Sequence, residues 1–144
     1  TKNIAYFGQA GLSLPDEAYY REDEFAEIRT ALVAHIARML ELAEISGAKE
    51  KAELVLTLET KIASHHWDQV KDRDALATYN KFNFADLKDL TPNFDWELWL
   101  EKTQTPSKVL TELIVRQPTF FSGLLFPFTS LAYEEPSSPP AYCL

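Results

Sequence analysis

The sequence predicts a mainly α-helical domain that contains one long antiparallel helical hairpin, several shorter helices and one short strand near residues 109–115. Apolar residues recur at steps of three and four over residues 23–45 and again over residues 48–68, which is the period of an amphipathic helix. Ser46 and Gly47 separate the two stretches, and glycine readily adopts the left-handed conformation that ends a helix. Two long helices joined by so short a connection pack antiparallel, with their apolar faces together.

The two long helices have well-defined apolar faces. The first is expected to begin at about Asp23, where acidic residues favour the positive end of the helix dipole. Its apolar positions are Phe25, Ile28, Leu32, Val33, Ile36, Met39, Leu40 and Ala43. The second has Ala52, Val55, Leu56, Leu58, Ile62, Ala63 and Trp67. A carboxylate, Glu59, falls near the centre of this second apolar face and requires an explanation.

Two shorter helices are predicted from their N-terminal caps. Asn83 can cap a helix over residues 84–90, and Asp86 at the third helical position completes an approximate capping box. Asn93 or Asp95 begins the next helix. Its apolar face consists of Trp96, Trp99 and Leu100.

The two ends of the chain read as irregular structure. Gly8, Gly11 and Pro15 favour turns over residues 1–20, and the aromatic residues there are expected to pin the segment onto the helices. The strand over residues 109–115 is predicted because this run, VLTELIV, is rich in β-branched residues and lies between prolines. The Pro- and Ser-rich end of the chain is predicted to be disordered.

The bulk composition limits the partners. A chain of 144 residues suits a single domain with its own core. A net charge of −8 argues against nucleic acid and anionic membranes, which attract clustered Lys and Arg. The one cysteine, Cys143, cannot form an internal disulfide, which fits a reducing compartment. No transmembrane run or signal peptide is present, and the chain begins at Thr1, so we expect a piece of a longer protein.

No catalytic motif occurs in these residues. His65 and His66 are adjacent, and neighbours on a helix diverge by about 100°, so they cannot easily hold one metal ion together. The sequence contains neither HExxH nor GxSxG, and Cys143 lies in the predicted tail. We therefore expect no metal-binding or catalytic residue within the chain.

Glu59 is the remaining candidate for a special role. An isolated carboxylate in an apolar interface is unfavourable, so it must be paired, hydrogen-bonded or protonated. Arg29 on the facing helix and Arg73 just beyond the same helix are the candidate partners for a buried structural ion pair. The alternative is a general acid or base, which is less well supported because no nucleophile or metal motif accompanies Glu59.

Four segments, in this order, resemble motifs of the neprilysin-like zinc metallopeptidases, which include the bacterial endopeptidase O. QAGLSLPDEAYY resembles Q-x-G-L-x-L-P-x-x-x-Y-Y. LETKIASHHW and RDALATYN resemble L-E-x-x-(L/I)-A and R-D-x-x-x-x-Y-N. PNFDWELWL resembles P-x-F-D-W-x-x-(Y/W)-L, and VRQPTFF resembles V-x-x-P-x-(F/Y). Together they cover about residues 6–121.

The resemblance implies that residues 1–125 belong to the N-terminal helical region of a bacterial zinc-dependent metalloendopeptidase. In that family this region closes over the catalytic domain around a chamber that admits oligopeptides and excludes folded proteins. The HExxH motif and the other catalytic motifs lie outside this chain. The resemblance thus implies zinc only in the catalytic domain of the parent enzyme, and the chain alone is expected to be inactive.

The expected partners are that catalytic domain of the same polypeptide, the oligopeptide substrates of the parent and, through exposed apolar surface, further copies of the chain. Residues after Gly123 depart from the family pattern, so residues 126–144 are expected to be a disordered or non-family tail. The resemblance suggests a bacterial, cytoplasmic protein. The alternative function is a free-standing helical module that binds peptides or a protein without cleaving them.

Overall fold

The computed structural model describes residues 3–131 of the chain. The helices are α1 (Ala18–Arg21), α2 (Ala26–Leu42), α3 (Ala48–Ala63), α4 (Gln69–Asp72), α5 (Phe84–Leu90), α6 (Trp96–Thr103) and α7 (Pro118–Leu131). The strands are β1 (Ala5–Phe7), β2 (Lys81–Phe82) and β3 (Leu113–Val115). The prediction of a mainly α-helical chain with a long hairpin and a short strand is confirmed.

The α2–α3 hairpin forms as the periodicity predicts, with shifted ends. A 3-10 turn over Asp23–Phe25 precedes α2, and α3 ends at Ala63, several residues before the expected end near residue 68. The expected stop at Gly47 is instead the start of α3, where this residue has a φ of 68°. Glycine reaches that left-handed conformation without the steric cost that a Cβ imposes.

The end of α2 is formed by a glutamate in a conformation that usually belongs to glycine. Glu44 has a φ of 56°. Its backbone N donates to the Glu41 carbonyl at 3.0 Å, and the Ile45 N donates to the Leu40 carbonyl at 3.0 Å. These two bonds are those of a Schellman motif, which satisfies the last carbonyls of a helix. Gln104 ends α6 in the same way, with a φ of 54°.

A three-stranded sheet with the order β1-β3-β2 joins distant parts of the chain. The central strand β3 runs parallel to β1, with Phe7 opposite Val115, and antiparallel to β2, with Phe82 opposite Leu113. The strand predicted over residues 109–115 is thus confirmed only in its second part, because Ser107–Leu110 form a 3-10 turn. The two outer strands were not predicted, since strands of two or three residues carry no readable alternation.

The main core packs on one face of this sheet. Its fully buried members are Leu87, Leu110, Leu113 and Val115, joined by Trp96. Phe7 of β1 lies 5.7 Å from Trp96 in an edge-to-face arrangement. The Trp96 indole N donates to Thr91 Oγ1 at 2.7 Å, so the polar atom of this buried ring is satisfied.

The predicted helix caps are present in this part of the chain. Asn83 Oδ1 accepts from the backbone N of Asp86, and the Asp86 carboxylate accepts from the backbone N of Asn83, which completes the capping box. Asp95 caps α6 by accepting from the Leu98 backbone N at 2.8 Å. These caps satisfy backbone N–H groups in the first turns of α5 and α6.

The last described helix, α7, continues past residue 125, where the helical region was expected to end. The rest of the predicted tail, residues 132–144, lies outside the described residues. Within residues 3–131, none of the helices combines the length and apolar character needed to cross a bilayer.

Candidate functional site

The candidate site lies where the N-terminal segment, residues 3–21 with α1 at its end, crosses α3. Glu59, on α3, is only 9% exposed and therefore is the buried carboxylate that the sequence pattern indicated. The helix α3 packs against both α1 and α2 at this point. A charge in such a place needs hydrogen-bond donors, because burial removes its hydration.

Two residues of the N-terminal segment supply those donors. The Tyr20 hydroxyl donates to Glu59 Oε2 at 2.5 Å, and the Ser13 hydroxyl donates to Oε1 at 2.6 Å. The Ser13 backbone N lies 3.2 Å from Oε2. The Tyr20 oxygen in turn accepts from the backbone N of Ser13 and of Leu14, at 3.1 and 3.0 Å. The carboxylate and the phenol are thus bound into one network that ties the N-terminal segment to α3.

The ion pair expected for Glu59 is replaced by this network, so the prediction of Arg29 or Arg73 as the partner was wrong. Arg29 Nη1 donates to the carbonyls of Tyr19 and Glu22, at 2.7 and 2.8 Å, and thereby holds the corner between α1 and α2. Arg73 lies beyond α4 with its Nη2 3.4 Å from the side-chain oxygen of Gln69. The donors on the N-terminal segment reach the carboxylate because turns near Gly11 bring that segment across α3.

The network changes the chemistry of Tyr20. Burial and, after it, the hydrogen bond to Glu59 together raise the pKa of Tyr20 to about 12, since ionisation would place two negative charges together. The backbone N–H donors of Leu14 and Ser13 act in the opposite direction. Tyr20 therefore remains a neutral donor at physiological pH. A phenol in this state anchors a carboxylate and does not act as a nucleophile.

A second network, centred on a buried glutamine, holds the same N-terminal segment from the other side. Gln117 is 1% exposed, accepts from the Gln9 backbone N at 2.8 Å and donates to the Asp72 carboxylate. The Gln9 side chain pairs with the backbone of Trp67, accepting from its N at 2.7 Å and donating to its carbonyl at 3.0 Å. This residue set ties the end of β3 to the chain that follows α3.

A cleft of about 320 Å³ opens between these two networks. Its polar lining consists of Gln9, Asp16, Glu17, His66, Gln69 and Asp72. The three carboxylates already accept hydrogen bonds from neighbouring protein groups. Ser13, close by, donates to Glu59 and has no histidine partner among the described residues. The arrangement offers a positioned polar surface and lacks an activated nucleophile.

The two adjacent histidines, His65 and His66, face different neighbours. His66 Nε2 lies 3.2 Å from the Ala10 carbonyl, and its ring stands edge-on to Phe120. Burial lowers the pKa of His66. His65 packs so tightly against Gly123 that a Cβ there would collide with its ring. In residues 3–131, His, Cys, Asp and Glu side chains do not form a group of three that could hold a metal ion. The described residues therefore do not offer a ligand set that fits zinc.

Comparison with known proteins identifies the family domain that contains these two networks. The model of the N-terminal domain of peptidase family M13 matches residues 1–127, which include both networks and the whole sheet. The chain belongs to peptidase family M13. The resemblance to the neprilysin-like metallopeptidases is thereby confirmed.

Solved structures of the family share the fold. The chain is similar to the Mycobacterium tuberculosis zinc metalloprotease Zmp1 in complex with an inhibitor, with a TM-score of 0.80 and 37% identity, covering 89% of this chain and 20% of that one. For the open state of Zmp1 the TM-score is 0.75 at 38% identity, covering 92% of this chain and 20% of that one.

Curated relatives match more distantly. Endothelin-converting enzyme-like 1 of Rattus norvegicus is 32% identical over 104 residues, which are 69% of this chain and 13% of that protein. Endothelin-converting enzyme 1 of Cavia porcellus is 26% identical, covering 75% of this chain and 15% of the relative. The M13 chain described here thus spans between about one eighth and one fifth of the length of its relatives.

Sequence reasoning identified Glu59 but missed the residues around it. Ser13 and Tyr20 lie within the motif QAGLSLPDEAYY, so the family resemblance marked the segment without indicating which of its atoms reach Glu59. Gln9 and Gln117 also lie within quoted motifs, QAGLSLPDEAYY and VRQPTFF, but neither was identified as a hydrogen-bonding residue. A polar residue beside a strand rich in β-branched residues, as Gln117 is, would have been a reason to expect a buried hydrogen-bonding partner.

Proposed function

We propose that this chain is the non-catalytic helical part of a zinc-dependent metalloendopeptidase that degrades oligopeptides. Its role is to form one wall of the chamber around the active site and so to restrict which substrates enter. Zinc and the residues that bind it belong to a catalytic domain elsewhere in the parent polypeptide. The chain itself contributes shape and positioning.

The observation that carries this proposal is the structural similarity to a zinc metalloprotease over most of the chain, together with the match to the N-terminal family domain. The internal organisation of the chain supports the same role. Two hydrogen-bond networks fix the N-terminal segment to α3 and to β3, so they join the helical hairpin to the sheet. A wall that excludes large substrates needs such connections, because a loosely packed one would open for them.

A chimeric enzyme tests the proposal. Residues 1–127 replace the matching region of M. tuberculosis Zmp1, and the chimera is assayed with a short fluorogenic peptide. We expect kcat/KM within about tenfold of the parent enzyme, since catalytic residues are unchanged and only packing at the domain boundary differs. A well-folded, zinc-loaded chimera that fails to cleave the peptide would contradict the proposal.

Two variants of the chimera form a matched pair, one that disrupts the Glu59 network and one that serves as its control. Glu59→Ala removes the acceptor of the Tyr20 and Ser13 hydroxyls, and we expect it to reduce activity and stability together. Glu53→Ala changes an exposed glutamate of the same helix and should leave both unchanged.

A further inference from the structure

A second cleft, of about 420 Å³, lies on the side of the sheet opposite the main core. Its lining includes Arg73 and Arg116, the rings of Tyr6 and Tyr79, Thr78 and Asp72. Side chains alternate along a strand, so Tyr6 points away from the face on which its neighbours Ala5 and Phe7 pack. The Glu59 network and the main core do not use this cleft, whereas the Gln117 network shares Asp72 with it.

Arg116 is held in place at the end of β3. Its backbone N donates to the Phe7 carbonyl at 2.9 Å, which fixes the residue to β1. Its Nη2 lies 3.2 Å from the Asp72 carbonyl and 3.3 Å from Asp72 Oδ1. Its Nε is buried and has no acceptor among the described residues. Because the buried Nε is out of reach of the cleft, a ligand there would contact the Nη groups of Arg116, whose side chain is 41% exposed.

The second arginine of the cleft is less constrained. Arg73 follows α4, and its contact to Gln69 is long, at 3.4 Å. It is exposed, so its guanidinium can turn toward a ligand. Counting Arg73 and Arg116 against Asp72, the lining carries one net positive charge, although the chain as a whole carries −8. The cleft is thus a local positive site on an acidic protein.

The two tyrosines give the cleft an apolar component. Tyr6 is 59% exposed and Tyr79 is 54% exposed, which leaves two large rings on the surface beside the arginines. Tyr and Arg are enriched among the residues that contribute most to binding at protein interfaces. A ligand that fits combines an anionic group with an apolar body.

We propose that this cleft binds a carboxylate of a peptide chain, with Arg73 and Arg116 as the anion-binding residues and Tyr6 and Tyr79 as the flanking surface. Guanidinium groups match the planar geometry of a carboxylate. A carboxylate carries one negative charge and so balances the single net positive charge of the lining, whereas a phosphate dianion would leave the occupied cleft net negative. That the ligand is a peptide rests on the proposed function; that it is a carboxylate rests on the cleft itself.

Binding to the isolated chain tests this assignment. The ¹⁵N-labelled protein is titrated with the blocked peptide acetyl-Ala-Phe-Glu-amide, with its Gln analogue, and with acetyl-Ala-Phe-Ala bearing a free C-terminus, while the Arg Nε and backbone signals are followed by NMR. We expect shifts around Arg73 and Arg116 with at least one carboxylate peptide, and about tenfold weaker binding of the Gln analogue if the Glu side chain is bound. The peptide that binds more tightly identifies whether the side chain or the C-terminus supplies the carboxylate.

Variants separate the cleft from general electrostatics. Arg73→Gln should weaken carboxylate binding about tenfold, whereas Arg38→Gln, which removes an equal charge from an exposed position on α2, should not. Arg116→Gln, checked for folding by circular dichroism, should act like Arg73→Gln. Three outcomes would overturn the assignment. The Glu and Gln peptides bind equally while the free acid does not bind, Arg38→Gln weakens binding as much as Arg73→Gln, or none of the peptides binds. Because these measurements need no cleavage, they can fail while the chimeric enzyme remains active, and the converse also holds.

Discussion

The Tyr20 hydroxyl and the Glu59 carboxylate, 39 residues apart in sequence, form a 2.5 Å hydrogen bond in the interior of the helical region. Each of the two groups would be unfavourable there without the other. Through this bond and the Ser13 hydroxyl, the N-terminal segment is attached to the middle of the hairpin. The stability of the region should therefore depend on this network more than on any exposed ion pair.

Glu59→Ala is expected to lower the free energy of unfolding by about 2–4 kcal/mol, because it leaves the Tyr20 and Ser13 hydroxyls without their acceptor and opens a small cavity. Urea unfolding followed by circular dichroism measures the change. Glu53→Ala on the exposed side of α3 is the matched control, with an expected change within about 0.5 kcal/mol. Similar losses for both variants would contradict a special role for Glu59.

The pH dependence of stability should report on Tyr20. Its pKa is about 12 in the folded chain and 10.0 in the absence of the protein environment, so the unfolded chain loses this proton first. The stabilising contribution is complete below pH 10 and is lost as the pH rises from 10 toward 12. We expect the unfolding free energy of the wild type to fall more steeply over this window than that of Tyr20→Phe. Parallel curves would show that Tyr20 ionises alike in both states.

Glu44→Gly is expected to stabilise the chain by about 0.5–1 kcal/mol, since Glu44 occupies a left-handed conformation that glycine adopts without steric cost. Glu41→Gly, within the last turn of α2, should instead destabilise it by about 0.5–1 kcal/mol. Thermal unfolding of both variants shows whether each is more or less stable than the wild type. Destabilisation by Glu44→Gly would mean that the side chain contributes more than its backbone strain costs.

Self-association is expected from exposed apolar residues of α2, two of which, Ile28 and Met39, were predicted to lie on its buried face. Ile28, Met39 and Leu42 are 40%, 53% and 71% exposed and share one face of the helix. Sedimentation velocity over a range of concentrations should show dimers or larger species, which Met39→Glu combined with Leu42→Glu should reduce. Leu76→Glu, at a position that is 90% exposed on a different segment, is the control. A wild-type chain that stays monomeric at every concentration would contradict the prediction.

The structural features that the sequence predicted correctly depend on residues close together in the chain. The periodicity of α2 and α3 and the capping box at Asn83 depend on residues a few positions apart, and they appear as predicted. The partners of Glu59 and the strand that pairs with β3 come from far along the chain. A single sequence does not show such distant pairings. The resemblance to a known family located the segments involved but not their contacts.

The ends of the helices show the same limit. Gly47 was expected to stop α2, whereas Glu44 ends it and Gly47 opens α3. Both residues adopt left-handed conformations. Glycine is the commonest residue in that conformation at a helix end, so residue type alone favours Gly47 as the stop. Likewise Arg29, on the helix facing Glu59, was one of its two candidate partners, yet two backbone carbonyls at the α1–α2 corner bind it instead.

The most direct test of the central claim is the substrate-size selectivity of the chimera that carries residues 1–127 in a family M13 enzyme. One cleavable sequence is presented twice, in a short peptide and in an exposed loop of a folded protein, and the two values of kcat/KM are compared. We expect the chimera to cleave the peptide and to leave the folded protein intact, as a chamber wall requires. Cleavage of both substrates at similar rates would contradict the claim that this region restricts access to the active site.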